Sequence, residues 1–583
     1  MSGARFFPRW IALMLAVCAT AGHAGDGEVT LIHIGDLHGH LVPRPDQRAG
    51  SPTRGLMVGG LAYVYAQIET IRAAHPQHLL INTGDTIQGS AEALFSRGDA
   101  LLDILNDWRI DAYVPGNWDF VYGTDRFREL FTGAGARANW HPLAANLYYA
   151  TLYEYPETPY PQFAGQRVVA PYLVKNVGKV KVGIVGLTSD RGPQAVSTRV
   201  TDGFFFSPGE EELRAAVTLL RGQERVDLLV LISERGLAAN LDLVERIPGV
   251  DVVLSSDMHE ETRKVLRAKS GTLLIEEGQD GTMVGELRVS VKNRKLARWH
   301  WKPHFINTRD HRANAAVANK IEVIRAPFIK GAGFKPHVNP ISSAVLRTPI
   351  DTIIGHTKAA LHRANFTDAE AMPAAIEGAS HDFLADAFKF GCNADVGVMR
   401  GFRYGTHIAP GPIKLEDIYH YIPIGPQIAC GEMTGDQLRW QIEKSIDGVL
   451  SGWVGYWGGG WVNAYSGITY DLDPGNEYGF RVSNLRVNGE LIDPPREYTV
   501  AGYWYVDDSN KINRTPALQI RVLKDQGGST LDATDIVAFY LQALPDKTVD
   551  PELKRIHLLK PLPKPISHNH ELQPWRGVIR PDY

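Results

Sequence analysis

The feature that most constrains this chain is a series of short aliphatic runs, from Glu28 onward, that each end on Gly, Asp, Asn, Ser or their polar neighbours. The runs are VTLIHIGD, HLLINTGD, AYVPGNWD, VKVGIVGLTSD, VDLLVLISE and VDVVLSSDMH. Apolar runs of this length suit strands buried on both faces, and the stretches between them, such as Gly60 to Ala74 and Asp99 to Trp108, are long enough for helices. An α/β domain of stacked layers follows, with its polar residues immediately after the strands, where an open sheet places ligand-binding loops. A further run, TMVGELRVSV after Gly281, reads as a strand and closes this domain near Asn307.

A chain of 583 residues exceeds one comfortable core, so two principal domains are expected. The spacing predicts a first domain over 25–307 and a linker over 308–340 with a helix from Ala313 to Ile329. A smaller α/β domain over 341–560 and a Pro- and His-rich extension over 561–583 follow. Within the second domain a helix is expected over Ala374 to Phe390, with strands between Trp461 and Val500. The net charge of -4 provides no broad basic field, which argues against a nucleic-acid polymer as partner. Arg5 and Arg9, the apolar stretch from Trp10 to Ala21, and the small residues Gly22 and Ala24 form a secretory signal pattern over 1–24 and point to the periplasm. A retained N-terminal anchor is the alternative, but the stretch is short for a span, and no later segment reaches the roughly 18 uninterrupted apolar residues that one needs. With Cys18 in the leader, Cys392 and Cys430 remain, either as one disulfide or as two buried thiols.

The chemistry sits at the strand ends. Asp36 and His38 follow the first run, Asp85 the second, and Asn117 the third, inside Gly116-Asn117-Trp118-Asp119. A carboxylate able to bridge, an imidazole, a terminal carboxylate and an amide oxygen are the donors that hold two adjacent divalent cations. Ions roughly 3.5–4 Å apart activate water and clamp the entering and departing oxygens of an in-line displacement. Any one strand-end Asp is more often a turn or capping residue; the case rests on several occurring in order.

The order DLH, GDT, GNWD, LISERG and SSDMH resembles the calcineurin-like metallophosphoesterases in their 5′-nucleotidase branch. The usual motifs there are D-x-H, G-D, G-N-H-[DE], a strand-end His and G-H-x-H. The stretches Ala394 to Gly397, Arg400 to Arg403, Pro412 to Ile418 and Met433 to Leu438 resemble the C-terminal 5′-nucleotidase domain, so nearly the whole mature chain is covered. The resemblance implies a β-sandwich flanked by helices, followed by a smaller α/β domain. Trp118 in place of His, the stretch Thr86 to Ser90, and Gly459-Gly460-Trp461 before Tyr465-Ser466-Gly467 point within the family to the SoxB-like thiosulfohydrolases. That branch implies two manganese ions and hydrolysis of a sulfonate from a cysteine persulfide on a carrier protein, with iron, calcium or zinc as other candidate ions. A 5′-nucleotidase or phosphodiesterase acting on nucleotides, and a non-catalytic anion- or metal-binding protein, are the rival readings, and a small anionic substrate is the alternative to the carrier protein.

Carried over by position, one ion takes Asp36, His38, Asp85 and His259. The other takes Asp85, Asn117, Glu234 and Asp257, the last two standing where histidines are usual. Two divalent ions with Asp36 and Asp85 leave about +2, and two further carboxylates bring the site to about zero. The alternative is that Glu234 pairs with Arg235 or another cation and Asp257 caps a turn. Asn117, Trp118 and Asp119 are expected at the reacting centre, although an indole donates one hydrogen bond and cannot deliver a proton to a leaving group. Arg400 and Arg403 are the expected anion-binding residues, and Trp457, Trp461 and Tyr465 form either a wall of the site or a packed turn.

Overall fold

The computed structural model describes residues 26–47, 51–361, 375–400, 407–451 and 462–562. The leader 1–24, Arg403, Trp457, Trp461 and the chain after residue 562 lie outside the described residues.

The aliphatic runs form strands of two sheets. In chain order these are β1 (Gly27–Ile34), β2 (His78–Asn82), β3 (Ala112–Tyr113), β4 (Tyr172–Val177), β5 (Val180–Leu187), β6 (Leu228–Ser233), β7 (Val252–Ser255), β8 (Leu266–Arg267), β9 (Leu273–Glu276), β10 (Met283–Lys292) and β11 (Lys295–Phe305). One sheet has the order β11-β10-β1-β2-β3, and the other has the order β8-β9-β7-β6-β5-β4. Strands β1, β2 and β3 run parallel, as do β5, β6, β7 and β9. All the loops that follow these parallel strands therefore leave at the C-terminal edges of the sheets.

Alternation along each strand divides its side chains between two cores. Val29, Leu31, Leu79 and Ile81 join Val182, Ile184, Val230 and Leu254 in one cluster between the sheets. Ile32, Ile34 and Leu80 turn outward onto Leu61, Val64 and Ile68 of the helix Leu61–Ala74. On the opposite side, Val185, Leu187, Leu229 and Leu231 pack with Leu213 and Leu220 of Glu210–Gly222 and with Leu243 and Val244 of Gly236–Arg246. The result is the expected sandwich with a helical layer outside each sheet.

Helix boundaries differ from those the sequence pattern suggested. The connecting helix spans Ala315–Arg325, because the Asn314 side chain accepts from the amides of Ala316 and Val317 and so fixes its start. The helix expected from Ala374 begins at Ala379 and ends at Cys392, bracketed by extended Gly378 and by Asn393 at φ 50°. The stretch Asp99 to Trp108 is a helix to Leu105, followed by one 3-10 turn.

In the second domain a five-stranded sheet has the order Ala464–Ser466, Val396–Met399, Glu497–Trp504, Gln427–Thr434, Leu518–Val522. Phe383, Phe388, Ile536 and Leu541 of two helices share one of its clusters, and Leu438, Ile442 and Ile446 of Gly435–Leu450 share another. The first cluster also contains Ala91 and Leu94 of the first domain. Beside it, Arg44 reaches Asp417 Oδ1 and Glu416 Oε2, each at 3.0 Å, and Arg325 binds Glu92 Oε1 at 2.7 Å as well as Glu416. Burial alone raises the Glu416 pKa; Arg44 and Arg325 outweigh it and hold the carboxyl below its usual range. The rings of His40 and His420 stack at 4.2 Å, and His420 Nδ1 donates to Gly89 O at 2.9 Å. The helix Leu415–Tyr421 is thus seated on the loops that leave β1 and β2.

Cys392 and Cys430 form a disulfide that ties the end of Ala379–Cys392 to the strand Gln427–Thr434, with a sequence separation of 38 residues. A loop of that length is worth about 4 kcal/mol of chain entropy in the unfolded state. Cys392→Ser should lower the urea midpoint relative to the parent under oxidising conditions. In the presence of reductant the difference should disappear.

Candidate functional site

Five parallel strand ends from both sheets converge on one point. Asp36 and His38 follow β1, Asp85 follows β2, Asn117 follows β3, Glu234 follows β6, and Asp257 and His259 follow β7. All are at least 95% buried. Local backbone conformation brings them together: Asp36, His38, Asp85, Asp257 and His259 have φ of 42°, 44°, 45°, 87° and 60°. Such conformations are uncommon for residues with a Cβ and persist only where surrounding contacts impose them. The contacts are visible. The amides of Asp36 and His38 donate to the carbonyls of Gly84 and Asp85 at 2.9 Å each, and the Asp280 amide donates to Asp36 O at 2.7 Å. Gly116 is required by close approach, since a Cβ there would lie 2.1 Å from Asp85 Oδ1.

Ligand atoms of Asp36, His38 and His259 lie within 4.8 Å of one another, as do those of Asp36, Asp85 and Glu234. Asp36 belongs to both groups. His38 Nε2 stands 2.9 Å from His259 Nε2 and 3.7 Å from Asp85 Oδ2, and His259 Nε2 is 3.7 Å from Asp36 Oδ1. Asn117 donates from Nδ2 to Asp257 Oδ1 at 2.8 Å and to Glu234 Oε1 at 3.3 Å, and its buried Oδ1 has no hydrogen-bond partner.

The electrostatics call for cations. Burial pushes the Asp36 carboxyl well above its usual pKa, reinforced by Glu277, Asp85, Glu276 and Asp257. Burial does the same to Glu234, reinforced by Asp85, Asp257 and Asp36. Carboxylates crowded this closely out of water remain charged only if positive charge joins them. The shared Asp36, the converging imidazoles and the open amide oxygen fit two divalent ions, one against each group.

Four expectations need correction or completion. Asp257 is absent from both converging groups: its Oδ2 is taken by the guanidinium of Arg191 and its Oδ1 by Asn117. Asp119, expected at the reacting centre, instead braces the loops; its carboxylate accepts from the amides of Thr86 at 2.8 Å, Ile87 at 3.0 Å and Gly116 at 2.9 Å, and from the Tyr113 hydroxyl at 2.6 Å. Glu234 does not pair with Arg235, whose guanidinium lies 3.6 Å from Asp190. Tyr465 is an interior packing residue with its hydroxyl donating to Gln441 Oε1 at 3.2 Å, so it forms no wall of the site. Trp118 is half-buried beside Asn117, with its amide donating to Asp85 Oδ1 at 2.8 Å.

Arg400 ends the strand Val396–Met399, and its charge is felt by Arg514 and Tyr505. Arg191, whose guanidinium binds Asp257, is a site residue that the sequence did not single out, and Arg514 braces the short helix that follows it. Arg191 carried the same signal as the others, a polar residue just beyond a buried strand, here β5. Arg514 carried none, because only the fold brings it to the carbonyls of Gln194 and Ala195. Gln88, fully buried between Asp85 and the Ser90 helix cap, has neither side-chain atom bonded.

Residues 29–261 match the family described as calcineurin-like phosphoesterase, and residues 353–512 match the 5′-nucleotidase C-terminal domain. A probable 5′-nucleotidase of Treponema pallidum is 24% identical over 526 residues, 82% of this chain and 85% of that protein. Among solved structures, the Thermus thermophilus sulfate thiohydrolase SoxB is 20% identical with a TM-score of 0.76, covering 94% of this chain and 98% of that one. A 5′-nucleotidase precursor, also of Thermus thermophilus, is 21% identical with a TM-score of 0.73, covering 92% of this chain and all of that one. At these identities the likeness to both structures concerns the fold.

Two outcomes are expected. Asp119→Ala orphans three buried amides and a hydroxyl and should cost at least about 3 kcal/mol in urea unfolding. Because Asp36 and Glu234 hold protons above the normal carboxylate range, acid should displace bound metal at a higher pH than free carboxylates would allow; metal release followed against pH checks this. With its residues 29–261 and 353–512 so matched, the chain belongs to the metal-dependent hydrolases that join a calcineurin-like phosphoesterase domain to a 5′-nucleotidase C-terminal domain.

Proposed function

We propose that this hydrolase releases sulfate from a cysteine S-thiosulfonate on a carrier protein after export to the periplasm. The observation that carries the reading is Trp118, which follows the Asn117 of the cluster and is held to Asp85 by its amide. An indole cannot protonate a departing oxygen. The leaving group must therefore depart as a stable anion, which a persulfide sulfur does more readily than a nucleoside alkoxide. In the balanced step, water oxygen becomes the fourth oxygen of sulfate, the bond between the persulfide sulfur and the sulfonate breaks, that sulfur leaves with the electron pair as a persulfide anion, and the two protons of the water pass to solvent.

Asp36, His38, His259, Asp85, Glu234 and Asn117 would hold two divalent ions, which supply the activated water and neutralise the anion. Glu234 makes the donor set richer in oxygen and favours manganese or iron over zinc. Arg400, joined by Arg403, would receive the sulfonate oxygens. Export is supported by the N-terminal pattern and by the Cys392–Cys430 disulfide, which suits an oxidising compartment. Among the described residues no helix is long and apolar enough to cross a membrane.

Nucleotide hydrolysis is the second reading, favoured by the name of the Treponema relative. The two separate in one experiment on the purified full chain loaded with manganese. Sulfate release from a carrier S-thiosulfonate that exceeds phosphate release from 5′-nucleotides is expected; the reverse order would sink the sulfur reading. Metal content should be two equivalents and should fall toward one in Glu234→Ala, whereas a parent chain that takes up none would favour a silent binding protein.

A further inference from the structure

We infer that Arg191 sets the charge of this site, as a positioning residue that neutralises Asp257 and keeps that carboxylate out of the metal-ligand set. The inference deepens the two-ion reading of the cluster and rests on it.

Asp257 is 2% exposed, and both its oxygens are engaged from the side of Arg191 and Asn117. Its amide donates to Asp36 Oδ2 at 3.1 Å, which fixes the residue beside the shared carboxylate. Unneutralised, its charge adds to the repulsion on Asp36 and Glu234, and the Arg191 charge opposes that repulsion at Glu234. The guanidinium is also rigidly delivered. Arg191 lies at the start of the short helix Gly192–Val196, which is gripped from the second domain by Arg514 at the carbonyls of Gln194 and Ala195, and by Asp507 at Ser197. A third of the Arg191 side chain remains exposed while its partner is buried.

The net charge points to a functional role. Asp36, Asp85, Glu234 and Asp257 cancel two divalent ions to about zero, which leaves the ion cluster itself little positive charge with which to draw an anionic substrate. Arg191 restores about one positive charge. It does so without an added ligand, and it withholds Asp257 from the second ion. Arg191 therefore lowers metal affinity and raises anion affinity, which a packing residue would not do.

The test titrates the metal-free full chain with Mn²⁺ by calorimetry, then titrates the manganese-loaded protein with sulfate. Arg191→Gln should bind the weaker Mn²⁺ several-fold more tightly and sulfate about tenfold more weakly, the worth of one charge-assisted hydrogen bond. Arg191→Lys should stay near the parent, and Asp257→Asn alone, which releases the guanidinium, should tighten sulfate. Loss of both affinities together in Arg191→Gln, or no change in either, overturns the inference while leaving a two-ion site standing. A parent chain with no Mn²⁺ uptake overturns both. If Arg191→Gln does not fold, Asp257→Asn decides by itself: unchanged or weaker sulfate binding refutes the role.

Discussion

Mutual repulsion among buried carboxylates is the constraint around which the catalytic half is organised. Asp36, Asp85 and Glu234 are brought from three strands to within 4.8 Å of one another, in an interior that disfavours even one charge. Nothing in the sheets requires this. The apolar clusters are filled by the strands' own side chains, such as Ile34, Leu80 and Ile232, and need no carboxylate at the strand ends. The cluster is a cost carried by the scaffold, met by left-handed backbone at five of its residues and by the hydrogen bonds that impose it. Such strain is tolerable where two rigid sheets and their helices hold both ends of every loop.

The sequence made the scaffold legible because its signal is repetitive. Six aliphatic runs with polar ends imply parallel strands with loops at one edge, and that edge is where Asp36, Asp85, Asn117, Glu234 and His259 meet. Position alone could not separate residues that face the cluster from residues that brace it. Asp119 and Asn117 stand two apart in one motif, yet Asp119 is wholly engaged with Thr86, Ile87, Gly116 and Tyr113. The fate of Asp257 likewise depended on Arg191, a residue 66 positions earlier whose approach is set by the sheet order β5-β6-β7. Arg514 lay beyond any local pattern, since its partners are carbonyls of another domain.

Fold and electrostatics carry different parts of the reading. The frame of strands and strand-end turns supports hydrolysis of small anionic esters in general. In the function proposed above, the carboxylates at Glu234 and Asp257, the indole of Trp118 and the guanidinium of Arg191 would set how much positive charge meets the substrate and whether a proton accompanies the leaving group. Chemistry is thus altered at positions that bear little of the packing.

The seating of the helix Leu415–Tyr421 has a thermodynamic meaning. Ala91 and Leu94 of the catalytic half lie in the same apolar cluster as Phe383, Ile418 and Tyr421 of the other half, and Glu416 lies between Arg44 and Arg325. The cluster that the two halves share therefore cannot be exposed on one side without being exposed on the other. Lifting that helix would uncover apolar surface of both halves at once and free the loops after β1 and β2 that His420 holds at His40 and Gly89.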